Sequence, residues 1–410
     1  MISDLSRRGA DLVENAPLPP YIRVHFERVE DAYDPRTNPD GYLGLAIAEN
    51  KLVWPLLEPR LTAARDVPPE AVAYDDMLGN ERFRDRLGGF LARHLTHRRF
   101  EASQIGVLAG SGSVLEALFY VIADPGDGVL IPTPSYAGFW ADLETRDELT
   151  VVPVHTTPEE GFRLTPDHLD RVADAATVPI RALLYTNPSN PLGTVASPDE
   201  VAAVIDWADD RGIHLVVDEV FALSTFDGEF TSASRLRPEL GPRRHLVWAF
   251  SKDFGASGLR CGVLVSENED VMAAIDGLAY WATVSGDTQH LLSEMIADEA
   301  WVEGYLAGMR STLGEAYRTT ASALSDAGIG HVPASAGVFT VLDLREFLDE
   351  PTWEAEDRLW RRILGEANVN VTPGAACRIV EPGFVRLVYA TEPAAHVVTG
   401  VERMAGVLRG

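Results

Sequence analysis

Lysine and cysteine are nearly missing from this chain. Of its 410 residues only Lys51 and Lys252 are lysine, and only Cys261 and Cys377 are cysteine. Two cysteines exclude a disulfide-stapled scaffold and a cysteine-rich metal site. Positive charge as a whole is scarce, with 35 basic residues against 62 acidic ones and a net charge of −27. Such a chain lacks the basic face that displaces counterions from nucleic-acid phosphates, and an anionic membrane surface repels it. No stretch approaches the roughly 18 uncharged apolar residues of a membrane span. Residues 1–8 carry no apolar run of a secretory signal, so the expectation is a cytoplasmic protein. The ten histidines show no His-x-x-x-His spacing beside a third ligand, and no metal site is expected.

What is present is ordinary for a folded chain. Apolar residues make up 46%, charged residues 24% and aromatics 8%, enough to bury a core and too aromatic for a disordered polymer. The length suggests two or three domains. Of the 35 basic side chains 33 are arginine, a skew that codon usage explains. It has one chemical consequence: if the protein forms an imine, only two side chains can supply the amine.

Residues 1–40 are polar and broken by Pro17, Pro19, Pro20, Pro35 and Pro39; they read as an irregular arm. From about residue 100 the pattern predicts strands at 105–109, 128–132, 181–185, 214–217 and 246–249, with helices at 113–123 and 201–211. Strands apolar on both faces and separated by helices indicate parallel βαβ units with both sheet faces covered. The loops Asn187-Pro188-Ser189-Asn190 and Asp218-Glu219 follow two of these strands, at the carboxyl ends where open α/β sheets bind ligands. Helices at 291–297 and 305–327 then lead to strands near 338–342 and 384–389, which suggests a second, smaller α+β domain.

The loops carry the parts of a pyridoxal phosphate site. Such a site needs a lysine, a carboxylate facing the pyridine nitrogen, an anion cup at a helix N-terminus, a stacked ring and an arginine for the substrate carboxylate. Lys252 lies in Ser251-Lys252-Asp253-Phe254-Gly255, with Gly258 and Arg260 just beyond, and Asp218 ends a strand. Ser111-Gly112-Ser113 opens a helix, where backbone N–H groups and the helix dipole suit a phosphate; the same triplet is also an ordinary N-cap. Tyr136 is a candidate stacking ring, and Asn190 sits in a turn-rich loop. The basic stretch Arg93-His94-Leu95-Thr96-His97-Arg98-Arg99 reads as a solvated helix end.

Over about residues 40–405 the chain resembles the fold-type I aminotransferase superfamily, and within it the 1-aminocyclopropane-1-carboxylate (ACC) synthases. The resemblance rests on Gly44–Asn50, Asp124–Asp127, Pro132–Phe139, Asn187–Thr194, Ser251–Asp253 with Gly258–Arg260, Thr288–Leu292, Thr372–Gly374 and Glu381–Arg386. It implies an α/β fold with a mostly parallel central sheet covered by helices. The implied division is an arm with part of the small domain over 1–60, a large cofactor-binding domain over 61–300 and a small α+β domain over 301–410. It also implies pyridoxal 5′-phosphate as cofactor. Lys252 would form the imine and act as the Cα base, Asp218 would pair with the pyridine nitrogen and Asn190 with O3′. Ser111, Gly112, Ser113, Ser251 and Arg260 would hold the phosphate, and Tyr136 would stack on the ring. Arg386 would clamp the substrate carboxylate, with Ala46 and Glu49 on the substrate side. The family forms homodimers in which a neighbouring tyrosine enters the site, and Tyr74 is the match.

Three positions depart from the family pattern. Phe221 stands where a tyrosine donates to O3′, Ala249 where a phosphate-binding serine is common, and Met77 where ungapped alignment places the family tyrosine. ACC synthases expel methylthioadenosine from S-adenosylmethionine by internal attack. Related γ-replacement enzymes let an external group take Cγ, one of them, in altemicidin-type biosynthesis, joining the fragment to the nicotinamide ring of NAD. The departures favour the γ-replacement expectation; ACC synthase or amino acid aminotransferase activity is the alternative.

Overall fold

The computed structural model describes residues 4–410. A short strand, β1 (Leu43–Gly44), precedes the central sheet of β2 (Ile105–Leu108), β3 (Gly128–Thr133), β4 (Thr150–His155), β5 (Ile180–Thr186), β6 (His214–Asp218), β7 (Arg244–Ala249) and β8 (Gly262–Ser266). Their order across the sheet is β2-β8-β7-β6-β5-β3-β4. All neighbouring pairs are parallel except those of β8, which runs antiparallel to both β2 and β7. β2, β7 and β8 are almost wholly buried, the pattern of a sheet covered on both faces.

The helices follow local signals. Pro198–Arg211 begins with a capping box between Ser197 and Glu200, has Pro198 in its first turn, and stops at Gly212 with φ 65°, a left-handed cap that glycine adopts without steric penalty. Ser111–Ile122 buries Val114, Leu115, Leu118, Phe119 and Ile122, one stripe at helical spacing.

A second sheet, in the order β12-β13-β10-β9, is built from β9 (Gly330–His331), β10 (Phe339–Asp343), β12 (Thr372–Pro373) and β13 (Phe384–Val388). The 28-residue helix Glu299–Asp326 leads into it. β1 pairs in parallel with β11 (Val369–Asn370), so the early chain joins the late one. The described part of the arm, residues 4–40, is not irregular throughout: Arg7–Glu14 and Pro20–Arg28 are helices. Pro20 occupies the first turn of the second, where a missing N–H costs nothing; proline there marks a start rather than a break. No helix among the described residues is long and apolar enough to cross a membrane.

Candidate active site

The carboxyl ends of β2, β3, β5, β6 and β7 deliver the candidate residues to one region, as topology requires in an open α/β sheet. β7 runs into the turn Phe250–Asp253. Fully buried Asp253 fixes that turn, accepting hydrogen bonds from Trp248 Nε1 at 2.8 Å, Ser224 Oγ at 2.6 Å and Leu223 N at 3.1 Å. Burial pushes its carboxyl up to about 7 against these three donors. Lys252, one residue earlier, donates from Nζ to the Ala48 carbonyl over 2.8 Å. Burial, reinforced by the Arg386 charge and opposed by Glu49, brings the amine down to about 8. A lysine so placed has a sizeable unprotonated fraction near neutral pH.

Asp218 ends β6 in register with Thr186 of β5. Its Oδ1 accepts from Val220 N at 3.2 Å and its Oδ2 from Thr186 Oγ1 at 3.4 Å. Burial pushes the carboxyl up to about 6, against the Val220 and Thr186 donors and the Lys252 charge. The next residue, Glu219, is fully buried, holds Ala233 N at 2.8 Å with one oxygen and leaves the other without a partner. Burial pushes it up to about 8, which keeps it neutral. Phe221 is buried edge-on to Phe339 at 5.1 Å and offers no hydroxyl.

The candidate anion cup lies where β2 meets the helix Ser111–Ile122. Gly110 has φ 97°, and a Cβ there would collide with the Arg260 guanidinium. Arg260, itself at φ 49°, donates from Nη1 to Ser257 O at 3.1 Å and from Nη2 to Ala109 O at 3.3 Å. Ser257 Oγ in turn donates to Ser251 O at 2.9 Å, and Ser113 Oγ to Ala109 O at 3.3 Å. Ser111, Gly112 and Ser113 form the start of this helix, Arg260 reaches it through the Ala109 carbonyl, and Ser251 is tied to Arg260 through Ser257. Tyr136, after β3, stands edge-on to Phe139 at 5.3 Å.

Arg386 lies on β13, at 2% exposure. Its Nη1 donates to Asn190 Oδ1 at 2.9 Å, and its Nη2 to Ala46 O at 2.7 Å and Thr372 Oγ1 at 3.1 Å. Its buried Nε has no hydrogen-bond partner. Ala46 thus contributes a backbone carbonyl that holds the arginine. Glu49 is half-exposed and pairs with Lys51 at 3.5 Å. Tyr74 is 97% exposed, so its own chain does not pack it into this cluster. Met77, the other candidate, packs against the apolar core that includes Leu108, Val114 and Leu118.

Sequence reasoning missed Thr186, Thr372 and the Ala48 carbonyl. Thr372 stood within a phrase already matched to the family. Thr186 precedes the Asn187 loop, and only the β5–β6 register brings it to Asp218.

A glycine cradle at a helix start, a buried carboxyl with no ion-pair partner, a depressed lysine and an arginine with an unpartnered Nε suit the phosphate, pyridine nitrogen, aldehyde and substrate of a pyridoxal phosphate site. Comparison with known proteins agrees. The family model for class I and II aminotransferases matches residues 58–404. The chain is 33% identical over 390 residues to the 1-aminocyclopropane-1-carboxylate synthase CMA101 of Cucurbita maxima, covering 90% of this chain and 82% of the relative. It is 34% identical over 426 residues to 1-aminocyclopropane-1-carboxylate synthase 4 of Oryza sativa subsp. japonica, covering 94% and 86%. In fold it is similar to a Thermus thermophilus aspartate aminotransferase, with a TM-score of 0.80 at 23% identity over 98% of this chain and 99% of the other. It is likewise similar to the aromatic aminotransferase of Pyrococcus horikoshii, with a TM-score of 0.78 at 21% identity over 94% and 98%. The chain belongs to the aminotransferase class I and II family, as a fold-type I pyridoxal 5′-phosphate enzyme close to the ACC synthases.

Proposed function

We propose that the protein acts on S-adenosylmethionine. The Cγ–S bond breaks with its electron pair leaving on methylthioadenosine as the Cα and Cβ protons pass to bases, and the pair freed from Cα–H forms the new bond between Cγ and a second substrate, for which the electron-poor nicotinamide ring of NAD is the candidate. The observation that carries this reading is the placement of Glu49. The segment Ala46–Glu49 is held at one end by Arg386 Nη2 on the Ala46 carbonyl and at the other by Lys252 Nζ on the Ala48 carbonyl. This leaves the Glu49 carboxylate in the electrostatic field of Lys252, partnered only by half-exposed Lys51. A carboxylate beside the base complements a sulfonium, a charge that ordinary aminotransferase substrates lack.

Bound cofactor supplies an electron sink that acidifies the substrate Cα–H. Lys252 takes that proton, which its depressed basicity allows near neutral pH. Asp218 carries the negative charge that keeps a proton on the pyridine nitrogen. Arg386 binds the substrate carboxylate with a planar fork that Asn190 and Thr372 orient. Ser111, Gly112, Ser113, Ser251 and Arg260 hold the phosphate, Tyr136 covers the ring, and Phe221 leaves O3′ to Asn190. The proposed assembly is a homodimer in which Tyr74 of one protomer reaches the site of its partner. The proposed domains are 1–60 with 301–410 forming the smaller unit and 61–300 the larger.

The test is incubation of purified protein with S-adenosylmethionine, with and without NAD. Methylthioadenosine release that needs NAD supports replacement at Cγ; release without NAD, with a cyclopropane product, moves the assignment to ACC synthase. Keto acid from ordinary amino acids, with no methylthioadenosine, moves it to aminotransferase.

A further inference from the structure

A cavity of about 970 Å³ lies beside the carboxylate clamp and is used by none of the residues assigned above. Its walls come from the arm, from Glu116 and Tyr120 on the helix Ser111–Ile122, from the helix Phe139–Glu144 and from the segment after β12. Tyr21 lines the end nearest the site: its phenol lies in the fields of Arg386 and Tyr136, and Asn370 Nδ2 donates to its carbonyl at 2.8 Å. Ala137, next to Tyr136, and Pro373, next to Thr372, complete that end. The volume stands at the upper limit of ordinary ligand pockets. A separate cavity of about 380 Å³ beside Glu49, Trp54 and Gly255 offers room for the nucleoside of the sulfonium substrate.

We infer that the large cavity binds the second substrate, and that it selects a flat heteroaromatic ring bearing positive charge or several N–H and O–H donors. This inference rests on the two-substrate reading above. Two observations carry it. The Arg378 guanidinium lies 4.8 Å from the centre of the Trp140 ring, giving a planar wall against which another ring stacks. Asp147 lies in the same wall at 4% exposure, and neither of its carboxyl oxygens has a hydrogen-bond partner. Buried carboxyls are ordinarily satisfied. Glu116, by contrast, is already paired with Arg146 at 2.8 Å. Burial and the Glu116 charge push Asp147 up to about 7, so a donor or cation reaching it would be bound and would return it to the charged form. Five acidic side chains, those of Asp11, Glu116, Glu144, Asp147 and Asp357, face three guanidiniums in the lining, an acidic balance that suits the cationic ring end of an occupant.

The test uses the cofactor-loaded enzyme and calorimetric binding of three probes: nicotinamide riboside, NAD and methylthioadenosine. Asp147→Asn should weaken nicotinamide riboside by about tenfold, the loss expected of one charge-assisted hydrogen bond. Ala141→Phe, which fills the cavity from its own wall, should abolish nicotinamide riboside and NAD binding. In both variants the cofactor absorbance and methylthioadenosine affinity should stay as in the parent, which shows that the fold and the clamp are intact. Failure of both nicotinamide probes to bind the parent enzyme overturns the inference. So does unchanged affinity in Asp147→Asn, or a loss of methylthioadenosine affinity in its place. If the probes bind as described but S-adenosylmethionine yields no methylthioadenosine, the two-substrate reading fails while the binding site stands.

Discussion

Arg386 on β13 of the small sheet donates from Nη1 to Asn190 Oδ1, in the loop after β5 of the central sheet, over 2.9 Å. This contact ties the two sheets together at the proposed substrate clamp and orients the guanidinium. Arg386→Lys keeps a charge and discards the fork. It should lower kcat/KM for the amino acid substrate by about a hundredfold, chiefly through KM. Steady-state kinetics checks this, and parent-like KM would remove Arg386 from the clamp.

Asp218 is buried, and desolvation outweighs its hydrogen bonds and the Lys252 charge to raise its carboxyl from 3.8 to about 6. The folded, cofactor-free protein therefore binds a proton there that the unfolded chain gives up earlier. The destabilisation is absent below pH 4, grows between pH 4 and 6, and is fully present above, amounting to about 1–3 kcal/mol. Asp218→Asn should remove that pH dependence from the cofactor-free protein and make it more stable at pH 7, while weakening cofactor binding. Denaturant melts at pH 4 and pH 7, with and without cofactor, read both effects; a destabilised cofactor-free variant at pH 7 contradicts the account.

Phe221 packs on Phe339 and gives no hydroxyl to the cofactor oxygen. Phe221→Tyr should supply that donor and stabilise the deprotonated chromophore, so the yellow-to-colourless transition of the holoenzyme should fall to lower pH in the variant. Identical absorbance titrations would show that residue 221 does not face the oxygen.

Lys51 is the other lysine in the chain, and it is half-exposed, pairing with Glu49 at 3.5 Å. Lys252→Ala should abolish the bound chromophore and Lys51→Ala should preserve it. A surviving absorbance band in Lys252→Ala would overturn the site assignment.

Much of this was legible in advance because local chemistry and topology agreed. Strand, loop and helix punctuation located Ser111, Asp218 and Lys252, and the open-sheet rule put them on one edge. β8 escaped because a short apolar run such as Gly262–Ser266 carries no sign of its direction. β4 lies at the edge of the sheet and includes Pro153, so its pattern is diluted. The arm was misread because proline at a helix start and proline in a loop look alike until the hydrogen bonds are seen. Asn190 and Arg386 lie 196 residues apart, and Asp147 carries no motif at all. Such contacts exist only in three dimensions.

The most direct measurement is product analysis of the pure holoenzyme given S-adenosylmethionine, alone and with NAD. The account predicts methylthioadenosine in step with loss of S-adenosylmethionine when NAD is present, with the remaining carbon fragment joined to the nicotinamide ring and none of this in Lys252→Ala. Keto acid formed from common amino acids, with S-adenosylmethionine left intact, would contradict it.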